Sequence, residues 1–145
     1  MASGDCSHAE GEETKAIGDM SHAEGDTTRA EGEASHAEGY QSEAIGKYSH
    51  AEGQNNQAIT EAQHVCGKFA TISNTSDTVI FKVGIGTSTT SRKDGLTVDT
   101  SGHVKAVGFF ESSDIRKKDI KSELSLEKCY DVIDKCQTII YSLKD

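Results

Sequence analysis

Histidine and glutamate recur two residues apart in the first half of this chain, and both side chains can bind metal ions or exchange protons. They belong to the block Ser-His-Ala-Glu-Gly, which occurs at 7–11, 21–25, 35–39 and 49–53, with a diverged copy at 63–67. If each block is a strand, its histidine and glutamate share one face and stack with their counterparts in neighbouring strands. Such a column suits a metal site, a pH sensor, or a solvated or intersubunit row. Because no His-x-His pair places two imidazoles on one strand, the sequence favours the solvated or intersubunit row, with an incidental pH response, and predicts no metal.

The four cysteines offer a second possible chemistry, but their spacing argues against it. They form no Cys-x-x-Cys pair, so neither a structural zinc site nor a dithiol redox motif is predicted. We expect reduced thiols, as in proteins assembled in a cytoplasm. The four are Cys6, Cys66, Cys129 and Cys136.

The blocks repeat with a strict period of 14 residues, and related five-residue units lie halfway between them, at 14–18, 28–32, 42–46 and 56–60. The underlying unit is seven residues long and carries one alanine and usually one glycine. A coiled coil needs two apolar positions per heptad, and a helix loses about 1 kcal/mol at each glycine. A short strand closed by a glycine turn fits better, and two such strands make one turn of a parallel β-solenoid. Five turns, stacked about 4.8 Å apart, give a rod roughly 24 Å long over residues 5–67.

Alternation along each strand points alanine, with some serine or threonine, into the solenoid and leaves the neighbours of alanine outside. One outer face is therefore charged, whereas the other carries a row of isoleucines. An interior of alanine buries little apolar area, so the rod needs partners on the isoleucine face. We infer a homotrimer with an interface at Ile17, Ile45 and Ile59.

Composition agrees with a rod that has almost no core of its own. Leucine, isoleucine, valine and phenylalanine make up 26 of the 145 residues, and only four of these precede residue 68. The net charge of −9 also comes from the first half. A conventional globular domain is excluded there, and neither a signal peptide nor a transmembrane run of about 18 apolar residues is expected.

Residues 68–112 change character and predict a β-rich connector. Strands are expected at 78–84, 96–99 and 103–110, with a polar loop at 87–94 and a turn at 99–102. Because this segment also lacks an adequate core, we expect an intertwined β neck that continues the trimer axis.

The paired Ala-x-Gly units resemble the head repeats of trimeric autotransporter adhesins, which also occur in phage tail fibres. The resemblance covers about residues 5–67. It implies a left-handed parallel β-roll that trimerises.

Residues 113–145 show a second resemblance. Ser113-Asp114-Ile115-Arg116 and the lysines that follow precede a predicted helix at 125–136 and a predicted strand at 138–143. Taken alone, the serine and its charged neighbours are typical of a charged turn. In this order, however, they resemble the start of the endosialidase-type intramolecular chaperone domain, which trimerises fibres and then releases itself by autoproteolysis. Residues 113–145 would be the N-terminal, α+β part of such a domain.

The chaperone resemblance implies specific catalytic residues. Ser113 would be the nucleophile and Ser112–Ser113 the scissile bond, with Lys118 as the general base. Alignment on Ile120 instead makes Lys117 the base, because the family motif is one residue longer than this one. A lysine acts as a base only when neutral, which burial and neighbouring positive charge favour.

Together these observations predict an all-β homotrimer: a structural, host-attachment subunit of a phage tail fibre or spike, assembled in the host cytoplasm and carried on the virion. Its partners would be two further copies and a host cell-surface receptor, either a glycan or an outer-surface protein. We expect no cofactor, no nucleic-acid partner and no membrane insertion. Its only chemistry would be one self-cleavage. The alternatives are a bacterial trimeric autotransporter adhesin and the non-catalytic stalk of a polysaccharide-degrading tailspike.

Overall fold

Two β-sheets form the walls of a solenoid, whose alternate strands pair in parallel within each sheet. The computed structural model describes residues 1–74 and 76–108. The four-stranded sheet has the order β2-β4-β6-β8, and the eight-stranded sheet has the order β1-β3-β5-β7-β9-β10-β11-β12. The solenoid strands are β1 (His8–Glu12), β2 (Lys15–Ala16), β3 (His22–Asp26), β4 (Arg29–Ala30), β5 (His36–Ala37), β6 (Glu43–Ala44), β7 (His50–Ala51), β8 (Gln57–Ala58) and β9 (His64–Lys68). The connector strands are β10 (Val79–Ile85), β11 (Asp94–Asp99) and β12 (Val104–Ala106).

Register between successive turns follows the 14-residue period. His8 pairs with His22, and Lys15 with Arg29, so equivalent positions lie directly above one another. The pairing begins as early as Ala2, which bridges to Ala16. About six turns result, slightly more than the five that the sequence predicts. The parallel solenoid with 14-residue turns is therefore confirmed.

The interior consists of two kinds of small side chain, as predicted. The alanine of each heptad from Ala16 to Ala58 is fully buried, and Val65 takes the same position in the diverged copy. The residue two positions before each alanine is also buried, and it is usually serine or threonine. Several of these hydroxyls donate to backbone carbonyls, as Ser35 Oγ does to Gly32 O at 2.7 Å. Backbone pairing and these side-chain bonds hold together a rod with a very thin apolar core.

Glycine is needed mainly because successive turns stack closely, and less because the turns require its backbone conformation. A Cβ on Gly32 would lie 2.0 Å from the carbonyl oxygen of Gly46, so only glycine allows the turns to approach this closely. Glycines of the Ser-His-Ala-Glu-Gly blocks, such as Gly25 (φ +105°), also have positive φ. The regular left-handed position of the corners, however, lies two residues after each glycine site and holds other residue types, including Met20 (φ 57°) and Thr27 (φ 56°).

The connector continues the solenoid sheet within one chain. Strand β10 pairs in parallel with β9, and β11 and β12 then add in antiparallel order. The strands predicted at 78–84 and 96–99 are confirmed. Of the strand predicted at 103–110, the described residues contain only Val104–Ala106. The turn at 99–102 closes with Gly102 N donating to Asp99 O at 3.0 Å.

The described residues contain no helix, and none therefore that is long and apolar enough to cross a bilayer. The helix predicted at 125–136 and the strand predicted at 138–143 lie outside the residues that the structure describes.

Candidate functional site

The in-register strands of the eight-stranded sheet build two parallel columns of side chains. Each solenoid strand of that sheet begins with histidine, and four of the five place glutamate two residues later on the same outer face. The histidine column is His8, His22, His36, His50 and His64, and the glutamate column is Glu10, Glu24, Glu38 and Glu52. The column that the sequence predicts is thus present.

Imidazole rings stack along the histidine column because the strands set their separation. Ring centroids from His22 to His64 lie 4.6–4.7 Å apart, with planes within 20° of parallel. His8 at one end is tilted, and the other end of the column packs against the edge of Phe81. Stacking leaves the Nε2 atoms inaccessible to solvent and, among the described residues, without a hydrogen-bond partner; these belong to His22, His36, His50 and His64.

The imidazoles of His36, His50 and His64 each lie near a carboxylate from the preceding turn. His64 Nε2 is 3.6 Å from Glu52 Oε1, and His50 Nε2 is 3.7 Å from Glu38 Oε1. These distances permit charge attraction but exceed a normal hydrogen bond. In each pair, an imidazole nitrogen and a carboxylate oxygen therefore lie close together without forming a hydrogen bond.

Burial lowers the pKa of His36 and His50, since an imidazolium between stacked rings loses hydration. Neighbouring imidazoles lower it further, through His22 for His36 and through His36 and His64 for His50. These two histidines are therefore held neutral at physiological pH.

Carboxyl groups in the glutamate column are also crowded. Burial, followed by contacts with the carboxyls of Glu52 and Glu24, raises the pKa of Glu38 to about 7. An open groove of about 600 Å³ runs beside this column, because the neighbouring glycines leave space where side chains would otherwise stand. The column is thus accessible to a small ion along its length.

Two groups of three potential metal ligands arise from this stacking. His36, Glu38 and His50 place one ligand atom each within 4.8 Å of the others, and so do His50, Glu52 and His64. In both groups the third ligand comes from the next turn, 12 residues beyond the glutamate. The sequence prediction of no metal considers only ligands that lie on one strand. It therefore misses groups whose ligands come from two successive turns.

The sequence analysis did not predict where Cys66 and Lys82 lie in the fold. Cys66 follows Glu52 in the glutamate column, and burial raises the pKa of its thiol. Lys82 pairs with Val65 and so points inward, where its ammonium donates to the Thr71 carbonyl at 3.2 Å. The sequence could have located Cys66, because alignment of the diverged copy at 63–67 with the other blocks puts it at the position of glutamate. No sequence pattern locates Lys82, which lies beyond Val65 at the end of the row of buried alanines. Both described cysteines, Cys6 and Cys66, are free thiols.

The predicted isoleucine row lies on the four-stranded side of the solenoid, next to the buried alanines. Ile17, Ile45 and Ile59 are half-buried in the single chain. Glu31 occupies the remaining position in this row and pairs with Arg29, whose Nε lies 2.7 Å from its carboxylate. The row therefore combines three apolar side chains with one ion pair.

The predicted self-cleavage site lies outside the described residues. This applies to the scissile pair Ser112–Ser113, to Ser113 as nucleophile, and to Lys118 and Lys117 as alternative bases.

Comparison with protein families, with curated proteins and with solved structures gives no match.

Proposed function

We propose that this chain is a structural subunit of a homotrimeric fibre or spike of phage type, which presents the solenoid for attachment to a host cell surface. The receptor would be a glycan or an outer-surface protein. The segment from residue 113 would act as the start of a self-cleaving chaperone, with Ser113 as nucleophile and Lys118 or Lys117 as base.

The observation that carries the proposal is the mismatch between the length of the solenoid and its core. Its buried apolar residues are seven alanines and one valine, with a further alanine, Ala70, after the last solenoid strand. Burial of methyl groups contributes about 25 cal/mol per Å², so alanines contribute little each. Association with further copies supplies the apolar contact that the interior lacks.

Apolar side chains outside the core offer that contact. The isoleucine row remains half-buried, and the connector exposes several larger groups, among them Val107 at 62%. The three isoleucines occupy the same position in different turns, and an apolar row of this kind is typical of an interaction surface. The other exposed large apolar residues in the described part of the connector are Ile72, Ile80, Ile85 and Val104.

Light scattering coupled to size-exclusion chromatography tests the assembly. The purified chain is expected to have the mass of three copies at micromolar concentration, and Ile45→Glu is expected to reduce it to one because it places a charge in the interface. Met20→Glu is the matched control and should remain trimeric, since Met20 is an exposed corner residue and Glu13 occupies the corresponding position seven residues earlier.

A monomeric wild-type chain would contradict the proposal. So would a trimer that persists in Ile45→Glu, provided that circular dichroism shows both variants to be folded.

A further inference from the structure

We propose that the histidine and glutamate columns bind one divalent transition-metal ion of zinc type per chain, with His50 as a shared ligand. The ion would take either His36, Glu38 and His50 or His50, Glu52 and His64. The assignment is independent of the proposed trimer, because each group lies within one chain.

The ligand types suit zinc rather than calcium or magnesium. Zinc accepts imidazole nitrogen together with carboxylate oxygen, and two histidines with one glutamate is an established ligand set for it. Calcium and magnesium require oxygen ligands, of which each group offers a single carboxylate. A water molecule from the adjacent groove would supply the fourth ligand.

The imidazole nitrogens lack a binding partner among the described residues, and a metal ion could take that place. Four Nε2 atoms in succession have no hydrogen-bond partner among the described residues, and all are shielded from bulk solvent. A buried polar atom without a hydrogen-bond partner destabilises the folded chain, and a metal ion would provide a partner for two of these nitrogens.

The distances require only a modest adjustment. Ligands about 2 Å from a tetrahedral zinc ion are roughly 3.3 Å apart. The His50 Nε2–Glu38 Oε1 and His64 Nε2–Glu52 Oε1 separations of 3.7 Å and 3.6 Å are already close to this value. The lone pairs of parallel stacked imidazoles cannot meet at one ion, so the two rings of each group must give up their stacking and turn toward each other. Their side chains are about one-third exposed and have space in which to do so.

The shared histidine determines the stoichiometry. One imidazole Nε2 binds one ion, so occupation of the first group prevents occupation of the second. The site therefore holds one ion per chain although five potential ligands are in place.

Calorimetric titration of the metal-free full chain with zinc chloride at neutral pH tests the proposal. We expect one zinc per chain with a dissociation constant on the order of 1 µM, and a melting temperature that rises with zinc concentration. His50→Gln removes a ligand from both groups and should weaken binding by about 100-fold or more. His36→Gln leaves the second group complete and should weaken binding by less than about tenfold.

His8→Gln is the matched control, since His8 belongs to the same column but to neither group. It should change zinc affinity by less than about twofold. If His50→Gln fails to fold, the double variant His36→Gln/His64→Gln breaks both groups while keeping His50, and it should lose zinc to the same extent. Cobalt(II) in place of zinc should give a tetrahedral spectrum without a thiolate charge-transfer band, which distinguishes this site from binding by cysteine.

Two zinc ions per chain, unchanged affinity in both the His50 and the double variant, or a thiolate band would each overturn the assignment. So would a dissociation constant of about 1 mM or weaker, because such binding is typical of scattered surface groups.

Discussion

The charge states of His36 and His50 depend on their neighbours in the column. Burial and adjacent imidazoles lower the pKa of His36 and His50 below the unfolded value of 6.5. The unfolded chain therefore binds protons more readily at these residues, and stability falls as the pH drops below about 6.5. The raised pKa of Glu38 acts in the opposite direction, because the folded chain holds a proton there that the unfolded chain has lost.

Replacement of Glu38 separates these two effects. The folded pKa of about 7 lies above the unfolded value of 4.5, so the stability associated with this proton is lost as the pH rises from 4.5 through 7. Glu38→Gln keeps a neutral side chain at every pH. We expect it to stabilise the metal-free chain by about 1 kcal/mol at pH 8, less than the full pKa shift implies because water partly screens the carboxyl.

Urea denaturation at about pH 8 and about pH 5 measures this difference. At pH 5 Glu38 is still largely protonated in the folded chain, so the gain from glutamine should fall to about a quarter of its value at pH 8. Glu61→Gln, an exposed residue outside both columns, should give the same small change at both pH values. An equal gain from Glu38→Gln at both pH values would contradict the assigned cause.

At the scale of the strand and its turn, the stacking distance rather than backbone conformation makes glycine necessary at Gly32. Gly32→Ala should destabilise the chain by roughly 3 kcal/mol, since the new methyl group meets the backbone of Gly46 and the neighbouring turns cannot separate without breaking their ladder. Far-UV circular dichroism during denaturation gives the free energy of unfolding.

Gly102→Ala provides the comparison, because Gly102 has φ +80° but no neighbouring atom within 4 Å of the methyl group that alanine would add. Left-handed strain alone costs about 1 kcal/mol. Equal losses in the two variants would show that conformation, not contact between turns, makes glycine necessary at position 32.

The sequence predicts those parts of the elements that the repeat itself determines. Fourteen-residue periodicity predicts the parallel register, the buried alanines and the column that contains His50. The left-handed corners escape prediction because residues as different as Met20 and Thr27 occupy them. Lys82 escapes because its inward direction depends on pairing with Val65, 17 residues away. The metal-ligand groups escape for a similar reason, since their third member comes from another turn.

At the scale of the whole molecule, the solenoid presents different chemistry on its two sheets. One sheet carries the histidine and glutamate columns, and the other carries the isoleucine row. A trimer that buries the isoleucines would leave the columns outside, available to ions and to a receptor. Assembly and attachment would then use separate surfaces of the same strands.

Self-cleavage would report on completed assembly of such a trimer. In a chain that continues into a complete chaperone domain, we expect a denaturing gel to show two fragments, and Ser113→Ala to abolish them because the nucleophile is lost. Lys118→Ala and Lys117→Ala, compared in parallel, identify the base. Cleavage that persists in Ser113→Ala would refute the assigned nucleophile, and Ser112→Ala tests whether the neighbouring hydroxyl acts instead.

The direct superposition of successive turns also makes the length of the rod adjustable in whole units. Loss of residues 22–35 would join Ser21 to His36, recreate the Ser-His junction and shorten the rod by one strand spacing, about 4.8 Å. Every remaining side chain would keep its face. Loss of only seven residues would exchange the two sheets and bring isoleucine into the glutamate column. Recombination between near-identical blocks can therefore lengthen or shorten this protein without redesigning it, provided that it proceeds in steps of 14 codons.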